Sequence, residues 1–223
     1  MEEKKEQQRV DLVRFAQAIQ ARKVVQARFK IDRYIEDVPS MLYICYKQEV
    51  ADRGRTFIDD QATKEHISKI AGWLVNENTK PGLLLYGTPG NGKTTLAKAM
   101  ARLIGILYDS PYYDKKKGVR TISALDLADV AKGEGNGFNN IKNTELLHID
   151  DVGCEPATVK VWGNEISPLI ETLYSRYDRL QYTVLTSNLM EEDIAVRYGP
   201  RVADRFYEMF DRLAFENDSY RRI

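Results

Sequence analysis

At 223 residues the chain has room for one α/β domain with a modest appendage, and its 43% hydrophobic content is enough for a proper core. Lys plus Arg and Asp plus Glu both number 33, so no global field draws the protein onto nucleic acid or an anionic membrane. The two cysteines, Cys45 and Cys154, lack paired metal-ligand spacing and make no disulfide framework. The N-terminus has no apolar signal core, and no apolar run reaches the ~20 residues needed to span a bilayer, so a cytoplasmic location is expected.

The first thirty residues are charged, with Val10, Val13, Phe15, Ala16, Ile19 and Val24 spaced as on an amphipathic helix. Val38-Pro39-Ser40 breaks this pattern, and Met41 to Val50 reads as a second short helix with Leu42, Tyr43, Ile44 and Tyr46 on it. Residues 1–55 then form a helical segment that is either a cap on the core or an arm that docks a partner. The core is expected over 56–223, entered by a helix from Gln61 to Asn76.

Leu83-Leu84-Leu85-Tyr86 is a buried-strand signal, and it runs into Gly87-Thr88-Pro89-Gly90-Asn91-Gly92-Lys93-Thr94-Thr95. Each residue type in that loop suits a polyphosphate. Glycines let backbone N–H groups close around phosphate oxygens, Lys93 brings an ammonium, Thr94 a hydroxyl for Mg²⁺, and the following helix aims its positive dipole end at the same charge. A helix carrying Leu96, Ala97, Met100, Ala101 and Ile104 follows, so strand, loop and helix stand in the order that nucleoside triphosphate binding requires.

Tyr112 to Arg120 interleaves aromatics with lysines, either as a contact for single-stranded DNA or as a solvated charged loop. Further strands are expected at 118–123, 145–149 and 182–186, helices at 124–132, 162–179 and 203–210, and a mobile loop at 133–140; Leu213-Ala214-Phe215 adds a fifth strand. Alternating strands and helices predict a parallel, covered sheet. At the carboxyl end of the third strand stand Asp150, expected to orient Mg²⁺, and Asp151, placed to polarise an attacking water. His148, which alternates with apolar residues inside the strand, reads as a packed core histidine rather than a ligand. Asn188, after the fourth strand, is a neutral amide suited to the γ-phosphate and the water. Arg201 and Arg205 lie four apart at a helix start, either as surface arginines or as donors to a neighbour's nucleotide.

The set GTPGNGKTT, LLHIDDVG, SRYDRLQ, TVLTSNL, RYGPRVADR and the final SYR resembles the DnaC/DnaI-type helicase loaders and the related IstB-type transposition ATPases, a branch of the AAA+ proteins. The similarity covers about residues 57 to 223. It implies an AAA+ P-loop fold with a five-stranded parallel sheet flanked by helices, ATP and Mg²⁺ as ligands, ATP hydrolysis, and self-assembly with ATP or DNA. By resemblance Gly87 to Thr94 is the Walker A loop, Asp150 and Asp151 the Walker B pair, and Asn188 sensor 1. Arg205 corresponds to the arginine finger, with Arg201 as second candidate, and Arg221 to a terminal arginine that senses nucleotide. The implied partner is a replicative helicase on single-stranded DNA, or a transposase on the IstB side. The chain departs from the pattern in stopping two residues after Arg221, so that no C-terminal lid is expected. It also has no N-terminal cysteine cluster like the zinc module of some loaders.

Overall fold

The computed structural model describes residues 11–22, 28–109 and 116–221. Its elements run α1 (Leu12–Arg22), α2 (Val38–Ala51), α3 (Gln61–Val75), β1 (Gly82–Gly87), α4 (Lys93–Tyr108), β2 (Arg120–Ser123), α5 (Ala124–Lys132), α6 (Gly137–Lys142) and β3 (Leu147–Val152). They continue with β4 (Val159–Val161), β5 (Asn164–Ile166), α7 (Pro168–Tyr177), β6 (Thr183–Ser187), α8 (Glu191–Tyr198), α9 (Pro200–Met209) and β7 (Phe210–Phe215). Five strands form one parallel sheet in the order β2-β3-β6-β1-β7, as the alternation of elements predicts.

The apolar run of β1 is continuous because both faces of the sheet are covered. Leu83 and Leu85 enter the core built with α2, α3 and α4, whereas Leu84, one residue out of phase, enters the core of α5, α7, α8 and α9. β6 does the same with Val184 and Leu185, which pair with Leu83 and Leu84 of β1. The carboxyl ends of β1, β3 and β6 therefore open on one edge, where ligands of such sheets bind.

α2 begins at Val38 rather than at Met41. Pro39 lies in its first turn, where a helix lacks an acceptor for the missing N–H in any case, so the proline that reads as a break is a start. Val38, Leu42, Cys45 and Tyr46 are buried against α3 and α4, which makes α2 a cap fused to the core. α1 is different: Leu12, Val13, Phe15 and Ile19 are 54–75% exposed. Val10 and Val24 lie outside the described residues.

Three other expectations are corrected. The helix placed over 162–179 is an antiparallel hairpin, β4 and β5, followed by a shorter helix. Trp162 and Gly163 both take positive φ at its tip, and such a turn ends any helix. The loop at 133–140 contains the start of α6, pinned by the buried Ile141. β7 begins at Phe210, directly after α9, and α8 is an element the sequence reading did not include.

A buried arginine ties the sheet edge together. Arg176 is fully buried and donates to the carbonyls of Thr144 (2.6 Å) and Tyr182 (2.6 Å), to the Thr183 hydroxyl (2.8 Å), and more weakly to Lys142 and Glu145 carbonyls. Burial, with Arg179 adding to it, lowers its pKa to about 9, still charged at neutral pH. The five-donor fork matches acceptors from two chain segments, 142–145 and 182–183, at once, which a lysine's single ammonium would not do.

Candidate nucleotide site

β1 ends at Gly87 (φ 128°), where a Cβ would come within 2.3 Å of the Phe215 carbonyl oxygen of β7. Glycine is required there so that the loop can leave between two strands. The loop closes at Gly92 (φ 101°), and α4 starts at Lys93. Lys93 is nearly buried and folds over its own loop, its Nζ donating to the Gly87 and Thr88 carbonyls (both 2.8 Å) and to Asn91 Oδ1 (3.1 Å). Burial lowers its pKa to about 8, against the pull of Asp151, with Arg221 lowering it further. Asn91 is an anchor as well: its Nδ2 donates to the Phe215 carbonyl (2.7 Å), fixing the loop to β7.

The acidic pair depends on an irregular strand. Adjacent side chains of a regular strand face opposite ways, but the β3–β6 register breaks between Ile149 and Val152, and Asp151 takes φ 55°. Aspartate tolerates this left-handed region better than most residues. Asp150 accepts from the Thr94 hydroxyl (2.8 Å), and Asp151 lines the open cleft beside it. Thr186 of β6 holds both acids, its hydroxyl donating to Asp150 Oδ1 and accepting from the Asp151 N–H (3.0 Å). The sequence reading did not single out Thr186; a threonine in a strand is too common to be a signal. Burial, and then the charge of Asp150, raise the pKa of Asp151 above the ordinary carboxylate value.

An open cleft of about 980 Å³ lies in front of these groups, lined by Pro89 to Thr95, Asp151, Asn188 and Arg221, with Tyr46, Arg53 and Phe57 on the far wall. Gly87 and Thr88 shape the loop behind Lys93, and Asp150 stands behind Thr94. Arg53 donates to Thr95 Oγ1 (2.6 Å), so the segment after α2 forms one wall. Arg201 and Arg205 are not part of it. Both are exposed on α9, and the Arg205 guanidinium lies 4.0 Å from the Tyr174 ring centroid and 5.7 Å from that of Tyr177.

His148 is fully buried, its Nδ1 3.4 Å from Thr121 Oγ1 and its pKa lowered by burial to about 4, so it is neutral and packed as expected. Of the basic stretch, Lys116 pairs with Asp109 (2.5 Å) and Lys117 with Glu145. Tyr112 to Lys115 lie outside the described residues. Cys154 lines the cleft as a free thiol with its pKa raised by burial, and Cys45 is a buried one. Among the described residues no cluster of His, Cys, Asp and Glu forms a metal-binding group, and no helix is long and apolar enough to cross a membrane.

A phosphate loop after β1, acids at the end of β3 and an amide just past the intervening β6 define an AAA+ P-loop fold. The model of the family described as "ATPase family associated with various cellular activities (AAA)" matches residues 83–153, from β1 through the acidic pair. Among solved structures, the DnaC helicase loader aligns with a TM-score of 0.56 at 25% identity, covering 77% of this chain and 98% of that one. DnaI aligns with a TM-score of 0.55 at 20% identity, covering 74% and 87%. The resemblance to the DnaC/DnaI-type loaders carried by the motifs thus holds for the fold. The Replication factor C large subunit of Sulfolobus acidocaldarius is 35% identical over 124 residues, 52% of this chain. The aligned stretch is 28% of the length of that relative.

Proposed function

We propose that this chain is a Mg²⁺-dependent ATPase that loads a replicative helicase onto single-stranded DNA. The observation that carries the reading is the meeting of Lys93, Thr94 with Asp150, Asp151 and Asn188 at one mouth of one cleft. Lys93 leaves its carbonyl partners for the β- and γ-phosphates, and the N–H groups of the loop and of the first turn of α4 take the remaining oxygens. The Thr94 hydroxyl and Asp150, already 2.8 Å apart, would hold a hydrated Mg²⁺, which supplies neutralisation of the phosphate charge. So few protein ligands suit an ion that keeps most of its water. Asp151, on the open side of the pair, accepts the proton of the attacking water, and Asn188 orients that water.

Arg205 is assigned to the nucleotide of a neighbouring copy. Its absence from its own cleft, its exposure and its ring support all suit a group presented outward, and a trans arginine makes hydrolysis depend on assembly. Such an ATPase is slow alone. The docking arm is assigned to α1, because α2 is occupied by the core while the apolar residues of α1 are exposed; helices with an exposed apolar face suit a groove on a partner. Helicase loading places the protein in the cytoplasm.

The test is light scattering on a size-exclusion column, loading the chain with the replicative helicase of its own cell, with and without ATP and Mg²⁺. A complex that is lost on deleting residues 1–27, with the fold intact, is the expected result. No complex in either nucleotide state overturns the loader reading and favours the IstB-type transposition helper.

A further inference from the structure

After β7 the chain turns back, and residues 216–221 lie across the phosphate loop. Asn217 Nδ2 donates to the Asn91 carbonyl (3.3 Å), and the Tyr220 N–H donates to the Gly90 carbonyl (3.0 Å). A Cβ on Gly90 would stand 2.2 Å from Ser219 Oγ and 3.2 Å from the Arg221 Cγ and Cδ atoms, so strap and loop are in direct contact. The side chains of Tyr220 and Arg221 then part. Arg221 enters the cleft, where its charge bears on both Lys93 and Asp151. Tyr220 lines the cleft with its ring, beside Gly92, and carries its hydroxyl to α3, donating to Asp60 Oδ2 (2.7 Å) and lying 3.0 Å from Thr63 Oγ1.

Asp60 is a fixed point. It is the N-cap of α3, its other oxygen accepting the Thr63 N–H at 2.7 Å, so the tyrosine is bonded to a charged group that is itself immobilised. Burial raises its carboxyl pKa, but the bonds from Thr63 and Tyr220 outweigh this and hold it below the ordinary value. Tyr220 is thus a two-point clamp, main chain on the loop and side chain on the helix, one residue before the arginine.

We propose that Tyr220 is a positioning residue: its clamp between Gly90 and the Asp60–Thr63 cap holds Arg221 in the cleft that Lys93 and Asp151 also line, and the preference for a nucleoside triphosphate over a diphosphate depends on it. This rests on the nucleotide-binding reading above. An arginine gains selectivity for an added phosphate only if it is held where that phosphate lies; an unclamped segment would lose the contact to conformational entropy.

The test is equilibrium titration of the full chain with a fluorescent non-hydrolysable triphosphate and the matching fluorescent diphosphate. Tyr220→Phe keeps the ring and removes the hydroxyl. It should lower the triphosphate-to-diphosphate affinity ratio by about tenfold, with the diphosphate affinity changed by less than about twofold. Arg221→Ala should give the same loss, and the double variant no more than either, because both remove one contact. Asp60→Asn keeps the helix cap but weakens the bond to Tyr220, and should give a smaller loss in the same direction. An unchanged ratio in Tyr220→Phe, or equal loss of both affinities, overturns the proposal and makes the clamp a support of the loop alone. Failure of the unaltered chain to bind either nucleotide overturns the nucleotide reading itself and this proposal with it.

Discussion

Thr94 of the first turn of α4 donates its hydroxyl to Asp150 of β3 across 2.8 Å, joining the phosphate loop to the acidic pair. Residues 56 apart in sequence are thus fixed to each other beside the cleft, where the proposed function puts the metal ion. The pair is held in turn by Thr186, which reaches Asp150 with its proton and Asp151 with its lone pair. The site is therefore preorganised from three strands and one helix, and little rearrangement is needed beyond the release of Lys93 from its carbonyls.

Thr186→Val keeps the shape of β6 and removes the hydroxyl. We expect nucleotide to bind with little change while steady-state turnover falls by roughly tenfold or more, because Asp150 and Asp151 lose their common brace. Stability should fall by about 1–3 kcal/mol, since the Asp151 N–H loses its partner in the half-buried bulge. Phosphate release and urea denaturation measure the two effects separately.

Asp151→Asn removes the base and preserves size. Binding should persist, and turnover should drop on the order of 10²-fold or more in a phosphate-release assay. Unchanged turnover would remove Asp151 from the mechanism.

Lys93 sets a pH dependence. In the free protein its pKa is about 8, below the ordinary lysine value of 10.5, whereas a lysine paired with phosphate keeps its proton. Nucleotide binding should therefore take up a proton above pH 8, and affinity should fall with rising pH there by up to about tenfold per unit. The sign for folding is opposite. Between pH 8 and 10.5 the unfolded chain binds more protons at this lysine than the folded one, so the free protein's stability contribution from Lys93 rises with pH across that window. Calorimetry in buffers of different ionisation enthalpy reports the uptake directly.

Arg205→Ala protein and Lys93→Ala protein should each be inactive alone and recover some hydrolysis when mixed, since one supplies the arginine and the other the intact cleft. Tyr174→Leu, which removes the ring under the guanidinium, should lower assembly-stimulated turnover without altering nucleotide affinity. No recovery at any mixing ratio would make Arg205 a surface arginine.

Arg176→Leu should destabilise the fold by about 3 kcal/mol or more, because it strands the buried carbonyls of Thr144 and Tyr182. Arg176→Lys should recover part of this. The shift of the urea midpoint is the measurement.

Most of this site is legible in the sequence, and the reasons are physical. β1 announces itself because burial on both faces demands an unbroken apolar run, β3 and β6 carry the shorter runs Leu146-Leu147 with Ile149 and Val184-Leu185, and the loop glycines are required by positive φ and close approach. Asp150, Asp151 and Asn188 follow from where strands end. What the sequence hides is contact across distance. Tyr220 meets Asp60, 160 residues away in sequence, and nothing local to either residue signals it. The hairpin at 159–166 is hidden because its strands are three residues each, too short for the alternation of Val159 and Val161 to stand out, and the positive φ of Trp162 and Gly163 at its tip has no signal in the sequence. Pro39 read as a break because a proline that opens a helix and one that ends it look alike without the flanking turn.

The most direct test of the account is a fluorescent ATP titration, in Mg²⁺, of the intact chain beside Lys93→Ala, both first shown to fold by thermal melting. The account predicts saturable binding by the intact chain and its loss in Lys93→Ala, because it assigns the buried Lys93 ammonium, held on the loop carbonyls, to the phosphates. Equal affinity in the two proteins, both folded, would contradict it.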